Sequence, residues 1–220
     1  MLGILASILA FPGRAADVDG QLRLLTKGGK RLTGEAHLDA VVWFQPNTPA
    51  ATRPAAEPLV VTTRDKQFIP RVLPITVGST VRFPNEDPIL HNVFSVTPGG
   101  TFDIGLVGQG EGRSNTFKEP GVVRVFCNVH HSMVAYVVAL DTPFFTVPQA
   151  DGSFHLAGVP AGPGKLTSWH PLGDATTQDV TLPSAAPHDV TVVVTQKRVP
   201  KHLNKLGQPY SENESADYQQ

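Results

Sequence analysis

The chain has 220 residues, of which 40% are hydrophobic, and a formal net charge of −1. A charge so close to zero produces no overall field that would attract nucleic acid or an anionic membrane. The twenty glycines and twenty prolines are spread along the chain, which predicts many turns between short strands.

The N-terminal residues 1–16 are predicted to be a signal peptide. The apolar run from Leu2 to Phe11 is too short to span a bilayer, and Ala15 and Ala16 are small residues suited to cleavage. No basic residue precedes the run, and a buried N-terminal helix or a membrane anchor is the alternative. A signal peptide predicts a periplasmic or secreted protein with no membrane span after cleavage.

Residues 17–46 are predicted to form two strands joined by a glycine-containing turn. The second strand, Val41–Phe44, is apolar without interruption, which is typical of a strand buried on both faces. Residues 47–58 are rich in proline and show no hydrophobic period, so they are predicted to be a linker.

Between residues 59 and 141, strand signals follow one another closely, and no segment shows sustained helical periodicity. The glycine-rich residues 98–112 are expected to form a long surface loop. Residues 142–198 predict a second, smaller β unit, and the polar residues 199–220 predict a disordered tail. The predicted fold class is therefore all-β, with short strands forming sandwiches or a barrel.

The loop between two apolar, β-branched runs holds the strongest candidate chemistry. It contains Cys127, the only cysteine, followed by His130, His131 and Met133. Thiolate, imidazole and thioether donors together are typical of a soft-metal site, and copper with a weak axial methionine is the first choice. In an exported protein a lone cysteine has no internal disulfide partner, which leaves burial, pairing to another chain or metal binding.

A trigonal copper site requires a second imidazole from elsewhere in the chain. His91 is the best candidate, because strand pairing in a sandwich can bring it to the loop. Zinc could use the same cysteine and histidines, but a thioether favours copper, so one type 1 copper ion is the predicted cofactor. The other histidines are not spaced from one another as metal ligands would be. They are predicted to be structural or surface residues: His37, His155, His170, His188 and His202.

Residues 58–140 resemble a cupredoxin, a small blue copper protein with a Greek-key β-sandwich, and the ligand loop is amicyanin-like. Three segments carry the resemblance: Ile75–Asn85, Leu90–Val93 and Gly121–Met133. The resemblance implies four copper ligands: His91, Cys127, His130 and Met133. It also implies that the backbone amide of Asn92 points at the Cys127 sulfur and tunes the redox potential.

One position departs from the amicyanin-like pattern, in which a proline follows the second histidine of the site. His131 occupies that position here, which leaves open which imidazole faces the metal. A Cys-x3-His-x-Met spacing would be unusual, so His130 is the predicted ligand and His131 the alternative. We expect His131 to point to solvent or to hydrogen-bond the backbone.

Residues 142–198 resemble a carboxypeptidase regulatory-like module, an Ig-like or transthyretin-like β-sandwich. The turn motifs Asp151–Phe154 and Gly158–Gly162 carry this resemblance. The chain as a whole is similar to bacterial proteins described as methylamine-utilisation-like. We expect residues 18–45 to pack with the regulatory-like strands, which would make the cupredoxin an insertion. The rival interpretation is that residues 18–45 add an edge strand to the cupredoxin.

The predicted function is that of an electron carrier between redox partners, not an enzyme, and the chain shows no motif for nucleic acid. A partner would dock transiently on an apolar patch around His130: Pro88, Ile89, Leu90, Val129 and Met133. The alternatives are copper storage or delivery without electron shuttling, and a structural module with a relic site. The chain has only two methionines, which argues against a methionine-rich delivery surface. It also has no His-x-His pair, which argues against the trinuclear cluster of a multicopper oxidase.

Overall fold

The computed structural model describes residues 15–196 and 202–210. The predicted signal peptide therefore lies almost wholly outside the described residues. Within the described residues, no helix is both long enough and apolar enough to cross a bilayer. These residues contain eighteen strands and one short 3-10 helix, Gly34–Asp39, which confirms the all-β prediction.

The strands are short, and most of them are separated by turns in which glycine or proline is common. In chain order they are β1 Ala16–Thr26, β2 Arg31–Leu32, β3 Val41–Pro46, β4 Leu59–Val60, β5 Thr62–Arg64, β6 Gln67–Ile69, β7 Val72–Thr76, β8 Thr80–Asn85, β9 His91–Ser95, β10 Phe102–Val107, β11 Gly110–Thr116, β12 Gly121–Phe126, β13 Val134–Leu140, β14 Phe145–Thr146, β15 Ser153–Val159, β16 Gly162–Trp169, β17 Thr176–Leu182 and β18 His188–Val194.

The first and last strands of the chain form one unit, here called the outer sandwich. One of its sheets has the order β15-β1-β18, with β2 beside β1, and the other has the order β14-β3-β16-β17. Val42 in β3 pairs with Thr146 on one side and with Ser168 on the other. The core between these sheets includes the fully buried Leu22 and Phe44. The strands before residue 47 thus complete a sandwich with those after residue 144.

Strands β4–β13 form a second unit, here called the inner sandwich. One sheet has the order β10-β9-β12-β13-β7, and the other has the order β11-β8-β5-β6, with β4 beside β8. Alternate residues of β8, among them Val81 and Phe83, point into the shared core, as the period of a strand requires. Cys127 and Met133 belong to the same core cluster.

The two sandwiches pack against each other through a third apolar cluster. In β3, Val42 and Phe44 face the outer core, whereas Val41 and Trp43 face strand β13 of the inner sandwich. The rings of Tyr136 in β13 and Trp169 in β16 meet edge to face, with their centroids 5.5 Å apart. The unbroken apolar run of β3 follows from this position, because the strand is covered on both faces.

The expectation of a surface loop over residues 98–112 is wrong, because β10 and β11 occupy most of it. Strand β11 is exposed along most of its length and pairs with β8 at the edge of its sheet. The backbone of Gly112 has a φ of +73°, and a Cβ there would lie 1.8 Å from the carbonyl oxygen of Phe83. A polar edge strand with such glycines carries no hydrophobic alternation, which is why its sequence resembles a loop.

The prediction of a disordered tail over residues 199–220 is wrong for residues 202–210. These residues lie against the loop between β12 and β13, where His202 and Tyr210 form ring stacks. Residues 211–220 are outside the described part of the chain. The tail has no apolar period because it is held by polar and aromatic contacts to a distant loop.

Candidate metal centre

The site lies at one end of the inner sandwich, where the β8–β9 and β12–β13 connections meet. Asn85, the last residue of β8, is buried and organises the first connection. Its Nδ2 donates to the carbonyl oxygens of Ile89 (2.8 Å) and Val107 (3.1 Å), and its Oδ1 accepts the N–H of Asp87 at 2.9 Å. These bonds shape the turn that leads into His91, the first residue of β9.

Three candidate ligand atoms converge on one point in this end of the sandwich. The Nδ1 atoms of His91 and His130 each lie 3.9 Å from the Sγ of Cys127, and they are 3.1 Å from each other. His91 and Cys127 are fully buried, and His130 is partly exposed. The fold therefore brings a histidine of β9 together with a cysteine and a histidine of the distant loop.

A buried carboxylate orients the His91 ring. The Nε2 of His91 lies 2.8 Å from Oδ2 of Asp87. Donation from Nε2–H to this carboxylate selects the tautomer whose Nδ1 keeps its lone pair, on the side that faces the sulfur. The same carboxylate accepts the backbone amides of Asp65 (2.8 Å) and Lys66 (3.0 Å). Burial acts to raise the pKa of Asp87, but these hydrogen bonds outweigh it, and the pKa lies below its usual 3.8.

The sulfur of Cys127 is surrounded by backbone donors. The amides of Asn92, Val129 and His130 each point at Sγ with an N···S distance of 3.4 Å. These three N–H···S contacts fix the position of the sulfur between β9 and the ligand loop. The side chain of Asn92 donates to Asp103 at 2.8 Å, which fixes the segment that supplies the first amide.

Met133 closes the loop and is buried, with an exposed fraction of 2%. Its N–H donates to the carbonyl oxygen of His130 at 3.1 Å, and its own carbonyl accepts the N–H of Cys127 at 3.4 Å. The expected place of Met133 in an exposed apolar patch is therefore wrong. The side chain belongs to the same core cluster as Cys127.

His131 does not join the ligand cluster. The expectation that it points to solvent is wrong, because its side chain is buried, with an exposed fraction of 4%. Its ring stacks on Tyr210, with a centroid distance of 3.6 Å and an interplanar angle of 30°. The group of possible ligand atoms found in the described residues contains His91, Cys127 and His130.

The donor set fits a trigonal metal ion. With bonds of about 2.0 Å to nitrogen and about 2.3 Å to sulfur, the three atoms are close enough together to hold one ion. Two imidazole nitrogens 3.1 Å apart also require a proton or a cation between them, since facing lone pairs repel. A thiolate with two imidazoles and a nearby thioether is the donor chemistry of a copper site.

Apart from the Asn92 amide, sequence reasoning missed the groups that hold the ligands. Asp87 lies four positions before His91 in a proline-containing turn, and this spacing was the available signal. The amides of Val129 and His130 belong to the backbone, so no side-chain pattern could reveal them. The contacts of His202 and Tyr210 were also missed, although a histidine and a tyrosine in a polar tail were visible in the sequence.

No protein-family model matches the chain, and no curated protein matches its sequence. Among solved structures, the chain is similar to a copper-containing nitrite reductase from Thermus scotoductus SA-01, with 29% identity over 44% of this chain and a TM-score of 0.37. The similarity spans a quarter (25%) of that enzyme's length.

Two smaller proteins align over nearly their whole length. A purple cupredoxin from Nitrosopumilus maritimus is 24% identical over 37% of this chain and 99% of its own, with a TM-score of 0.34. An amicyanin variant in its reduced form is 25% identical over 45% of this chain and 98% of its own, with a TM-score of 0.37. TM-scores this low carry no weight for function. The chain's own distances define an all-β protein with a His–Cys–His cluster compatible with copper binding.

Proposed function

We propose that this protein is a cupredoxin-like type 1 copper protein that carries single electrons between partner proteins. The observation that carries the proposal is the meeting of one cysteine sulfur and two imidazole nitrogens, 3.1–3.9 Å apart, at a single buried point. His91, Cys127 and His130 would hold the ion, and Met133 would be a further, weak sulfur donor. Copper bound in this way supplies the gain and loss of one electron.

The surroundings of the ligands support electron transfer because each ligand is held by bonds of its own. The Asp87 carboxylate holds the His91 ring, three amides hold the Cys127 sulfur, and backbone bonds of Met133 close the loop. Ligands that cannot move keep one geometry in both oxidation states, and little reorganisation is needed when an electron arrives. Storage or delivery of copper is less well supported, because His91 and Cys127 are fully buried.

Exposed apolar side chains near His130 support a docking surface for a redox partner. Ile89 and Leu90 directly precede His91, and Val129 directly precedes His130. Leu106 lies on β10, which pairs with β9. Each of these four side chains has an exposed fraction of 41–53%. A small apolar surface suits a transient encounter in which partners separate after each transfer. Pro88 is exposed beside them.

A periplasmic or secreted location is also part of the proposal. The apolar run within residues 1–16 supports export, although these residues lie almost wholly outside the described structure. Cys127 is a free, buried cysteine, so it requires no disulfide partner in an oxidising compartment.

A visible spectrum of the copper-loaded protein tests the proposal. We expect an intense thiolate-to-copper band in the red that ascorbate bleaches and an oxidant restores. Cys127→Ser and His130→Ala should abolish the band, whereas His155→Ala, which changes an exposed histidine of the outer sandwich, should keep it. A colourless protein that binds copper(I) tightly would contradict electron carrying and support storage.

The docking surface can be tested without knowing the partner, through electron self-exchange between reduced and oxidised copies. Leu90→Glu should leave the visible band unchanged and slow self-exchange about tenfold, because equal charges meet at the surface. Val193→Glu changes an apolar residue of the outer sandwich that is also exposed (42%, against 53% for Leu90) and is the matched control. Equal slowing by both variants would show that net charge, not this surface, controls the encounter.

A further inference from the structure

We propose that residues 202–210, here called the strap, hold the ligand loop Cys127–Met133 in its metal-binding shape and withhold His131 from the metal. The inference rests on the proposed copper site, because the loop supplies most of its ligands. The strap is separate from the two sheets of the inner sandwich and contacts the loop from outside. Its residues are positioning residues, since none of them is among the candidate ligands.

The first point of attachment is Asn128, the residue after the cysteine ligand. Its Oδ1 accepts the backbone N–H of Lys205 at 3.1 Å and the hydroxyl of Tyr210 at 3.4 Å. Two donors that are five residues apart in the strap therefore meet on one side chain of the loop. This bridge fixes the backbone that presents the Val129 and His130 amides to the sulfur.

The second point of attachment is His131, directly after the predicted ligand His130. Its ring is covered by the ring of Tyr210 at 3.6 Å. The buried imidazole is one residue away from the site and has the chemistry to compete for the metal. Stacking on Tyr210 holds it away from the ligand cluster, so the strap favours His130 as the ligand.

The third point of attachment is the end of β12. The ring of His202 stacks on Phe126, the residue before Cys127, with a centroid distance of 3.7 Å and an interplanar angle of 22°. Its Nε2 lies 3.1 Å from the carbonyl oxygen of His131, and its Nδ1 lies 2.9 Å from that of Leu203. Burial lowers the pKa of His202, whereas the hydrogen bonds to these two carbonyls act to raise it.

A salt bridge links the strap to the other side of the sulfur. The Nζ of Lys205 lies 2.9 Å from Oδ2 of Asp103, whose Oδ1 accepts the Asn92 side chain at 2.8 Å. The backbone amide of Asn92 points at the Cys127 sulfur. The strap thus contacts Phe126 before the ligand loop, Asn128 within it and Asp103 in strand β10. The shape of the loop therefore depends on the strap.

Hydrogen exchange of the copper-free, full-length protein provides the first test. Tyr210→Ala should make the amides of residues 128–133 exchange about tenfold faster, because the stack and one hydrogen bond are lost. Tyr210→Phe keeps the stack and should stay close to wild type. Leu206→Ala changes a strap residue that is 76% exposed and is the matched control. Unchanged exchange in Tyr210→Ala, with the outer strands equally protected, would overturn the inference.

Copper release provides the second test. With excess chelator, we expect Tyr210→Ala to lose copper about tenfold faster than wild type, and Tyr210→Phe to restore retention. The visible spectrum of Tyr210→Ala should show a second species that disappears in the double variant Tyr210→Ala/His131→Ala. Faster exchange with unchanged release and a single spectrum would show that the strap does not serve the metal site, which would overturn the inference.

Failure of the proposed function gives a different result. If the wild-type protein binds copper but shows no thiolate-to-copper absorption band, the proposed electron-carrier function is contradicted. The hydrogen-exchange and copper-release measurements still decide whether the strap shapes the site. A wild-type protein that binds no copper defeats both proposals.

Discussion

Replacing Asp87 by asparagine tests whether a carboxylate outside the ligand set controls the metal site. Asp87 accepts three hydrogen bonds, from the His91 ring at 2.8 Å and from the amides of Asp65 and Lys66 at 2.8 and 3.0 Å. Asparagine replaces one oxygen by an NH₂ group, so at least one donor then faces another donor. If the NH₂ group takes the place of Oδ2, the His91 ring loses either its tautomer or its orientation, and if it takes the place of Oδ1, the Asp65 amide loses its acceptor.

The magnitude follows from the bonds that are lost. A hydrogen bond to a charged group contributes about 1.5–3 kcal/mol, and part of this is retained by the remaining amide oxygen. We expect the free energy of unfolding of the copper-free protein to fall by about 2 kcal/mol and the copper affinity to fall by about 10–100-fold. Because the pKa of Asp87 is lowered, its contribution is complete above the ordinary value of 3.8 and is lost as the pH falls through the folded-state value.

The assays are urea unfolding at pH 7 and competition with a chelator for copper. Glu86→Gln is the matched control, since it removes the same charge from the neighbouring residue. The carboxylate of Glu86 pairs with Arg64 at 2.5 Å on the exposed surface, where ion pairs contribute little. If both variants lowered the copper affinity equally, charge and not ring orientation would control affinity, and the reasoning would be refuted.

Three further predictions concern the scaffold. Burial lowers the pKa of His170 to about 4. The contribution of neutral His170 to the free energy of unfolding should therefore be complete above pH 6.5, and urea unfolding should show a loss of about 3 kcal/mol as the pH falls to 4. His170→Gln should reduce this loss. Val138→Ala, at the contact between the sandwiches, should cost about 2 kcal/mol in urea unfolding, and the exposed control Val193→Ala less than about 0.5. Gly112→Ala should lower the Tm far more than Gly99→Ala, because both have positive φ but only the first Cβ would collide with backbone.

Each scaffold prediction has a contradicting result. Wild-type stability that stays constant between pH 6.5 and 4 would mean that His170 can be protonated in the folded state at no cost. Equal losses at the two valines would mean that the contact between the sandwiches is not well packed. Equal Tm values for the two glycine variants would mean that the backbone of β11 moves freely away from β8.

The strands that bury one or both faces could be predicted from the sequence. The unbroken apolar run Val41–Phe44 indicated a strand covered on both sides, and β3 does lie between two apolar clusters. The loop from Cys127 to Met133 was singled out because sulfur and imidazole donors rarely occur so close together. Both signals are local, since a few adjacent residues carry them.

What could not be predicted depends on partners far away in the chain. Strand β11 has almost no buried side chains, and its strand conformation depends on backbone pairing with β8. The buried His131 stacks on Tyr210, and the tail that contains Tyr210 shows no hydrophobic period. Asp87 reads as part of a turn until the backbone amides of Asp65 and Lys66 are seen to bind it.

The parallel pairing of β1 with β18 has a consequence for biosynthesis. The register runs from Gly20 opposite His188 to Thr26 opposite Val194, so the first strand must wait for nearly the whole chain before it finds this partner. Strands β4–β13 have all their sheet partners within one continuous stretch and can assemble while the ribosome is still extending the chain. The assembled inner sandwich holds residues 47 and 144 close together. The flexible loop between β1 and β18 is then shorter, and closing it costs less conformational entropy. We therefore expect a released chain that ends after Leu140 to have a protease-resistant inner sandwich while residues 16–46 are digestible.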